Sequence, residues 1–538
     1  MNKYHLFVIE ASGKIKNIES LLEEINYPEE YKVVATVGKL YELPEREISL
    51  TNTIIPVNWE PIRPQLIEKL RKDVKQASHV FLMTDSDYEG EYIAWQFIKK
   101  IEPNSWSRLN IDELNKDSLL KSFKYESNQL DSKKIRSVHI RRGLDRYLGY
   151  VLSPLLDKGK RIPIGTVISP LAKIIDDNQF TIGEFKHIVN DNNENSHYEL
   201  SLDVNRSHIS SFYKIKELLK TDDDSKYTEF EIEQNPELLT GGKALLLLSQ
   251  RLNKSVSEIY KEMQESYENG YISYFRTDSQ RISMESLKLT KEIAYEGSYK
   301  INHSMIDKAV LKEKVNKFTQ DAHEAIHNTK KFSFYIDNKY MSNSELIAKE
   351  IFEHNFTELS KEEKVKVRKY ELPNAIISEL QKIGINNLSW VKKNGLSEHE
   401  GAHINFYKDD QIILRALIDN DIARPGSYNN HINKFLKQLW DFDKKTLNQR
   451  GLEALITAKN LCPELLNKEL VINLKNILDD KNNNYNNTSL IIRDVVNLLN
   501  LKIDVNISET TLNKDNGHLK DNPSEIANEN ISSINFQK

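Results

Sequence analysis

The sequence predicts a multidomain protein in which a parallel α/β domain comes first and mainly helical and mixed domains follow. Three observations support this fold class. Apolar strand-like runs alternate with helical patterns over roughly residues 1–125, and helical spacing dominates much of the later chain. The chain has 538 residues, which is too many for one hydrophobic core, so about three or four domains are expected.

The α/β alternation is clearest in the first hundred residues. The runs YHLFVIE, KVVATVG and HVFLMT predict strands, whereas SGKIKNIESLLEEI and GEYIAWQFIKKI place their apolar residues at helical intervals. Strands that alternate with helices form parallel sheets, and ligands bind beyond the carboxyl ends of such strands.

The later chain changes pattern several times. Helical spacing runs from about 130 to 185, the strand-like runs YELSLDV and YTEFEIE follow, and GGKALLLLSQRLNKSVSEIYKEMQESYENG predicts a helical pair. The next run, YISYFRT, predicts a strand, and the region after about 370 is mostly helical. The last thirty or so residues are rich in Asn, Ser and Asp without periodicity, which predicts a disordered tail.

Composition excludes several classes of protein. One cysteine rules out a disulfide framework and a Cys-type zinc module. The first apolar run is interrupted by Glu10, which argues against a signal peptide, and no segment approaches transmembrane length. We therefore expect a soluble intracellular protein. The net charge of -5 does not indicate a nucleic-acid binder, but a basic channel can lie within an acidic average.

The stretch TDSDYEGE contains four carboxylates within seven residues: Asp85, Asp87, Glu89 and Glu91. Its start imitates a calcium-binding EF-hand loop, but position 12 of that loop is Gln96 and a strand precedes it where a helix is needed. A solvated acidic turn between strand and helix is a second interpretation. A magnesium site is the third.

Glu10 supports the magnesium interpretation because it lies just past the end of HLFVI, as Asp85 and Asp87 lie just past the end of HVFLM. If the two strands are neighbours, their carboxylates meet at one edge of the sheet. Mg²⁺ prefers a few carboxylates together with water and phosphate oxygens. Lys14 would lie near the start of the next helix, where an anion is also favoured.

The segment GYISYFRTDSQRIS supplies a candidate nucleophile. In an extended strand, Tyr274, Arg276 and Asp278 would share one face. A phenol can attack a phosphodiester, a guanidinium can bind the phosphate in a fork, and a carboxylate can orient its neighbours. The chain has 24 tyrosines, so a packing role for this one stays open on the residues alone.

Together these segments resemble the type IA DNA topoisomerases, the bacterial topoisomerase I branch in particular. The strand ending in Glu and the strand ending in DxDxE resemble a Toprim domain, and the tyrosine segment resembles the active-site segment of the family. The resemblance implies a torus of four domains. It assigns a Toprim domain to 1–125, a helical single-strand-binding domain to 126–184 and 391–505, a hinge or arch domain to 185–233 and 361–390, a catalytic tyrosine domain to 234–360, and the disordered tail to 506–538.

The resemblance also implies a function. An ATP-independent enzyme would cleave one DNA strand through a 5′-phosphotyrosine, pass a strand and reseal, relaxing negative supercoils. Tyr274 would become linked to the DNA 5′-phosphate, which Arg276 would position and Lys14 would stabilise. Glu10 would act as a metal-linked acid or base, and Mg²⁺ would be bound by Asp85, Asp87, Glu89 and Glu10. Glu91, at the start of the helix, is expected to be a structural carboxylate or one that supports the metal ligands.

Three further segments, IRRGLDRYLGYVLSPLL, TQDAHEAIH and IARPGSYNNHI, resemble DNA-contacting segments of the family. They imply contacts to single-stranded DNA from Arg141, Arg142, Arg146, His323, Arg424 and Ser427, with Tyr428 as a further candidate. A solvated basic helix face and a structural histidine are the alternatives. Three positions depart from the family pattern, namely Lys39, Thr166 and His327, which suggests weaker single-strand binding or a specialised enzyme.

Two other functions stay open: a topoisomerase III-like decatenase, and a degenerate protein that binds single-stranded DNA without cutting it. The expected partner is the single-stranded segment of negatively supercoiled DNA. We expect a cytoplasmic, nucleoid-associated monomer that does not bind membranes.

Overall fold

The computed structural model describes residues 3–45, 47–51, 54–153, 161–219, 226–233, 237–301, 324–358, 364–479 and 488–501. The tail predicted to be disordered lies outside the described residues. The chain divides into two compact units: the first comprises Met1–Pro170 and Glu453–Lys538, and the second comprises Leu171–Leu452.

A four-stranded parallel sheet organises the first unit. Its strand order is β2-β1-β5-β6. The strands of this region are β1 (Tyr4–Ile9), β2 (Tyr31–Ala35), β3 (Tyr41–Glu42), β4 (Glu60–Pro61), β5 (Ala77–Met83) and β6 (Trp106–Arg108). The helices are α1 (Ile15–Glu24), α2 (Pro64–Gln76), α3 (Tyr88–Ile101), α4 (Lys116–Lys124), α5 (Ser132–Tyr147) and α6 (Ile168–Asp176). The three predicted strands and both predicted helices of this region are confirmed.

Both faces of this sheet are buried, which explains the unbroken apolar runs in its strands. Successive residues of β1 enter two different cores: Leu6 and Val8 pack with Phe97 on one face, and Phe7 and Ile9 pack on the other. Because β1 and β5 run parallel with Ile9 opposite Met83, the residues that follow these two strands reach the same edge of the sheet.

A six-stranded antiparallel sheet lies in the second unit, with the order β12-β7-β8-β11-β10-β9. The strands of this unit are β7 (Thr181–Asp191), β8 (Ser196–Asn205), β9 (Tyr227–Glu233), β10 (Lys364–Tyr370), β11 (Trp390–Asn394), β12 (Gly401–Phe406), β13 (Trp440–Asp441) and β14 (Thr446–Leu447). The next helices are α7 (Ile209–Leu219), α8 (Gly241–Arg251), α9 (Val256–Glu268), α10 (Met284–Glu296), α11 (Asn343–Phe352), α12 (Asn374–Lys382), α13 (Asp409–Asp419), α14 (Tyr428–Leu439) and α15 (Gln449–Leu461). The predicted helical pair is confirmed as α8 and α9, whereas the sequence pattern did not indicate α7.

The prediction that the run YISYFRT forms a strand is wrong. Residues 237–301 are all described, and in this range the run forms no strand; an isolated bridge pairs Ile272 with Asn328. The backbone of the run bonds instead to separate loops: the Ser273 amide donates to the His327 carbonyl, and the Gly241 amide donates to the Thr277 carbonyl. Since no continuous ladder forms, the strict alternation of faces expected for Tyr274, Arg276 and Asp278 does not hold.

Two helices of the first unit come after α15 in the chain, namely α16 (Lys468–Leu478) and α17 (Thr488–Leu498). Asp479, directly after α16, accepts a hydrogen bond of 3.0 Å from the Ser137 hydroxyl of α5. This contact joins the end of α16 to α5 within the first unit. Within the described ranges, no helix is both long and apolar enough to cross a lipid bilayer.

Candidate active site

The acidic turn between β5 and α3 lies at the carboxyl edge of the parallel sheet, where Glu10 also emerges. Glu10 follows β1 and its backbone carbonyl accepts a hydrogen bond of 2.8 Å from the Val37 amide. Asp85 follows β5, the strand next to β1. The structure thus places the carboxylates of two neighbouring strands at one edge, as the sequence predicts.

Lys14 and Asp85 form a buried ion pair at this edge. Lys14 ends a short 3₁₀ turn, Ser12–Lys14, that precedes α1. Its ammonium group bonds to Oδ1 of Asp85, and the two residues are only 3% and 5% exposed. A buried charge is stable only with a partner, so each of these two groups holds the other in place.

Asp87 begins helix α3. Its carboxylate accepts a hydrogen bond of 2.7 Å from the Gly90 amide, which is the usual role of an N-cap aspartate. The Thr84 hydroxyl donates to the Gly90 carbonyl, also at 2.7 Å. A Cβ at residue 90 would lie 2.1 Å from the Asp85 carbonyl oxygen, so only glycine allows this close approach of helix and turn.

A buried arginine that the sequence analysis did not identify supports the acidic turn. Arg108, at the end of β6, is 1% exposed and its Nε lies 3.1 Å from Oε2 of Glu91. Its guanidinium donates to four backbone carbonyls, those of Leu82 (3.0 Å), Thr84 (2.8 Å), Asp85 (2.9 Å) and Leu109 (3.0 Å). Glu91 therefore points into the protein and fixes Arg108, which in turn holds the backbone of the turn.

Glu89 lies at the exposed side of the cluster. Its side chain is 49% exposed, and its Oε1 is 3.6 Å from the ammonium group of Lys39. Lys39 also lies 3.5 Å from Oε2 of Glu42. Burial, reinforced by the positive charge of Arg142, lowers the pKa of Lys39.

The donor set of this edge fits a divalent metal ion. Asp85, Asp87, Glu89 and Glu10 offer carboxylate oxygens, which are the ligands that hard divalent cations prefer. Two of these carboxylates already attract an ammonium group, Asp85 from Lys14 and Glu89 from Lys39. Asp85 is therefore a buried and paired acid, whereas Glu89 is half-exposed beside Lys39.

The candidate nucleophile Tyr274 lies in the second unit, in the segment between α9 and α10. The residue is 3% exposed, and its ring packs against Tyr267 at a centroid distance of 5.3 Å with a steep interplanar angle of 73°. The guanidinium carbon of Arg276 lies 5.9 Å from the centre of the Tyr274 ring. The structure thus brings the predicted phenol and guanidinium together, although not by the strand geometry that we expected.

Hydrogen bonds to a second segment fix this region. The His327 amide donates to Oγ of Ser273 at 3.1 Å, and Nδ1 of His327 lies 2.8 Å from the Ala325 carbonyl. His327 is 1% exposed. Glu324, from the predicted segment TQDAHEAIH, accepts a hydrogen bond of 3.0 Å from the Ser283 amide. His323 of the same segment lies outside the described residues.

Arg276 is held between two groups of the second unit. It donates to Oε1 of Gln264 at 2.9 Å. Its Cδ would lie 3.3 Å from a Cβ placed on Gly426, so it adjoins the turn that contains Arg424 and Ser427. In that turn the Ser427 hydroxyl donates to the Arg424 carbonyl at 2.9 Å.

Asp278 and Tyr428 lie near each other in the same unit. Asp278 is exposed, whereas Tyr428 is 5% exposed at the start of α14. Burial raises the pKa of Tyr428, and the negative charges of Asp278 and Asp421 raise it further. The buried phenol of Tyr428 packs against the start of α8, because a Cβ on Gly242 would meet its ring at 3.1 Å.

The three predicted DNA-binding arginines of α5 differ in their surroundings. Arg141 lies 3.4 Å from Asp479, and Arg142 pairs with Glu42. Burial lowers the pKa of Arg142 to about 10. Arg146 donates to the backbone carbonyls of the β3–β4 connection, those of Leu43 (3.2 Å), Pro44 (2.8 Å) and Glu47 (3.3 Å). All three arginines therefore have structural partners within the first unit.

Comparisons with known proteins identify the family. A family model described as DNA topoisomerase matches residues 129–428, and the Toprim domain model matches residues 5–114. The prokaryotic-type DNA topoisomerase 1 of Acanthamoeba polyphaga mimivirus is 26% identical over 366 residues, which cover 60% of this chain and 41% of the relative. The plasmid DNA topoisomerase I of Xylella fastidiosa (strain 9a5c) is 26% identical over 311 residues, or 52% of this chain and 45% of the relative.

A solved structure extends the likeness to most of the chain. The full-length topoisomerase I of Thermotoga maritima superposes with a TM-score of 0.63 at 18% identity, over 94% of this chain and 91% of that one. This likeness concerns the fold alone. The chain spans less than half the length of the curated relatives it matches. Because the DNA topoisomerase model covers more than half of the chain and a Toprim domain precedes it, the chain belongs to the type IA DNA topoisomerase family, as the sequence predicts.

Proposed function

We propose that the chain is an ATP-independent type IA DNA topoisomerase that cleaves one strand through a 5′-phosphotyrosine, passes a strand and reseals, relaxing negative supercoils. The observation that carries the proposal is the proximity of Tyr274 and Arg276: the guanidinium carbon lies 5.9 Å from the centre of the phenol ring, in a segment that hydrogen-bonds to the 325–328 loop. A phenol is a nucleophile that can attack a phosphodiester, and a guanidinium in the same segment can neutralise the charge of the phosphate.

The proposed reaction is a transesterification. The phenol oxygen of Tyr274 bonds to phosphorus, the bond from phosphorus to the 3′-oxygen of the DNA breaks, and the phenol proton is transferred to that leaving oxygen with Glu10 as the proposed acid or base. The reverse steps reseal the strand. One phosphoester replaces another, so no ATP is needed, and the sequence has no Walker A motif.

We propose Mg²⁺ as the metal of the Toprim edge, held by Asp85, Asp87, Glu89 and Glu10. A bound Mg²⁺ neutralises phosphate charge and helps to hold the DNA ends for resealing. Lys14 would contribute a positive charge for the phosphate from a fixed position, because its pairing with Asp85 restricts it.

DNA contacts are proposed for Arg141, Arg142, Arg146, His323, Arg424 and Ser427. The three α5 arginines already donate to protein groups. Each would bind a DNA phosphate through the guanidinium N–H groups that its protein partners do not use. The domain division, the toroidal arrangement and a monomeric state stay predictions. The protein would act in the compartment that holds its DNA, which we propose is the cytoplasm.

Relaxation of negatively supercoiled plasmid tests this function. The protein is incubated with plasmid and Mg²⁺, with and without ATP, and with EDTA. We expect relaxation with Mg²⁺ that is independent of ATP and abolished by EDTA and by Tyr274→Phe. A protein that binds single-stranded DNA but never relaxes plasmid would contradict the proposal. Relaxation is proposed ahead of decatenation because both curated relatives are named as topoisomerase I; a catenated substrate in parallel distinguishes the two.

A further inference from the structure

A strained loop presents Lys39 to the acidic cluster. After β2 the chain turns through Val37 at φ +56° and Gly38 at φ +81°. A β-branched residue rarely adopts a left-handed conformation, and such strain persists only where surrounding structure imposes it. Here Arg63 imposes it: its guanidinium donates to the carbonyls of Thr36 (3.3 Å), Lys39 (3.1 Å) and also Val37.

The loop places the Lys39 ammonium between two carboxylates. It lies 3.6 Å from Glu89 and 3.5 Å from Glu42, and its side chain is 25% exposed. Glu42 has a second cationic partner, Arg142. Of the two carboxylates near Lys39, Glu89 is therefore the one that also belongs to the candidate metal site. Lys39 differs in this respect from Lys14, which is almost fully buried.

We propose that Lys39 is a positioning residue that holds Glu89 away from the divalent metal and so lowers the metal affinity of the Toprim edge. This inference rests on the proposed function, because it requires Glu89 to be a metal ligand. The ammonium group and a divalent cation compete for the same carboxylate, and they also repel each other across a few ångströms. The fixed loop keeps this competing charge beside the site instead of leaving it free in solvent.

The expected effect is moderate because both groups are partly exposed. Replacing Lys39 with methionine keeps the length of the side chain and removes its charge. We expect divalent metal to bind about 3- to 10-fold more tightly to this variant, because the substitution removes one exposed ion pair and one positive charge near the metal. Lys39→Arg retains the charge and should bind metal within about twofold of the unchanged protein.

Mn²⁺ titration of the full chain without DNA, followed by electron paramagnetic resonance of the free ion, measures this affinity independently of activity. Lys32→Met is the matched control, because Lys32 pairs with Asp73 at 2.6 Å and not with the cluster. The proposal predicts tighter Mn²⁺ binding for Lys39→Met and unchanged binding for Lys32→Met, with the difference shrinking at high salt.

Two different results would overturn the proposal, and they separate it from the proposed function. If Glu89→Gln weakens Mn²⁺ binding while Lys39→Met leaves it unchanged or weaker, Glu89 is a ligand but Lys39 does not restrain it. If Glu89→Gln does not change Mn²⁺ binding, Glu89 is not a ligand, and both this inference and the proposed metal assignment fail.

Discussion

The close approach of Gly90 to the acidic turn predicts that Gly90→Ala will disturb the candidate metal site. The added Cβ would lie 2.1 Å from the Asp85 carbonyl oxygen and 2.8 Å from the Asp85 amide nitrogen. Real Cβ atoms essentially never come closer than 3.0 Å to another heavy atom, so helix α3 and the turn must separate by about 1 Å. Both partners are backbone, so no side-chain rotation can relieve this clash.

Two effects of opposite sign set the magnitude. Alanine is favoured over glycine in a helix by about 1 kcal/mol. Overpacking costs about 1–3 kcal/mol, and the separation also weakens the two 2.7 Å hydrogen bonds that Gly90 makes with Asp87 and Thr84, each worth about 1 kcal/mol. The destabilising contributions are larger, and we expect the turn to lose about 2–4 kcal/mol of local stability.

Hydrogen–deuterium exchange of peptides that cover residues 84–101 measures this loss. Amides that exchange by local opening should exchange roughly 30- to 1,000-fold faster in Gly90→Ala, and Mn²⁺ binding should weaken with them. Gly149→Ala is the matched control, because a Cβ there meets no heavy atom within 4 Å. Unchanged exchange over residues 84–101 in the Gly90→Ala protein would refute this reasoning.

Two further predictions concern stability. Glu91→Leu leaves Arg108 buried without its counter-charge and should lower the free energy of unfolding of this region by about 3–5 kcal/mol. Glu68→Leu, which removes the exposed pair with Arg71, is the control and should cost about 1 kcal/mol or less. Equal shifts of the denaturation midpoint in the two variants would contradict this prediction. Burial lowers the pKa of His139 to about 4. Between about pH 4 and pH 6.5 the unfolded state therefore binds more protons than the folded state. Stability should therefore fall as the pH drops from about 6.5 towards 4, and a melting temperature that falls equally in His139→Leu would exclude His139 as the cause.

The parallel sheet and the place of its carboxylates could be predicted because they depend on local pattern. Strands buried on both faces must be continuously apolar, and a parallel arrangement brings their carboxyl ends to one edge. Glu10 and Asp85 lie just past the ends of such strands, so their position required no knowledge of distant contacts. The N-cap role of Asp87 was not predicted, because the sequence pattern assigned that carboxylate only as a candidate metal ligand.

The surroundings of Tyr274 could not be predicted, because they are built by contacts across about fifty residues. Ser273 bonds to His327, and Thr277 accepts from Gly241, so the run lacks the ladder that its composition suggests. The role of Arg108 could not be predicted for a related reason: nothing near it in the sequence indicates that it is buried against Glu91. Both features depend on tertiary burial, which overrides local propensity.

Trapping the covalent intermediate tests the central claim most directly. Single-stranded oligonucleotide labelled at its 3′ end is incubated with the protein and Mg²⁺, quenched with denaturant, and resolved on a denaturing gel, with the adduct site mapped by mass spectrometry. A 5′-phosphotyrosine at Tyr274 predicts that the label stays with the protein, that Tyr271→Phe still forms the adduct, and that Tyr274→Phe forms none. Two results would contradict the account: an adduct in the Tyr274→Phe protein, or an adduct that retains the label only when the oligonucleotide is labelled at its 5′ end instead.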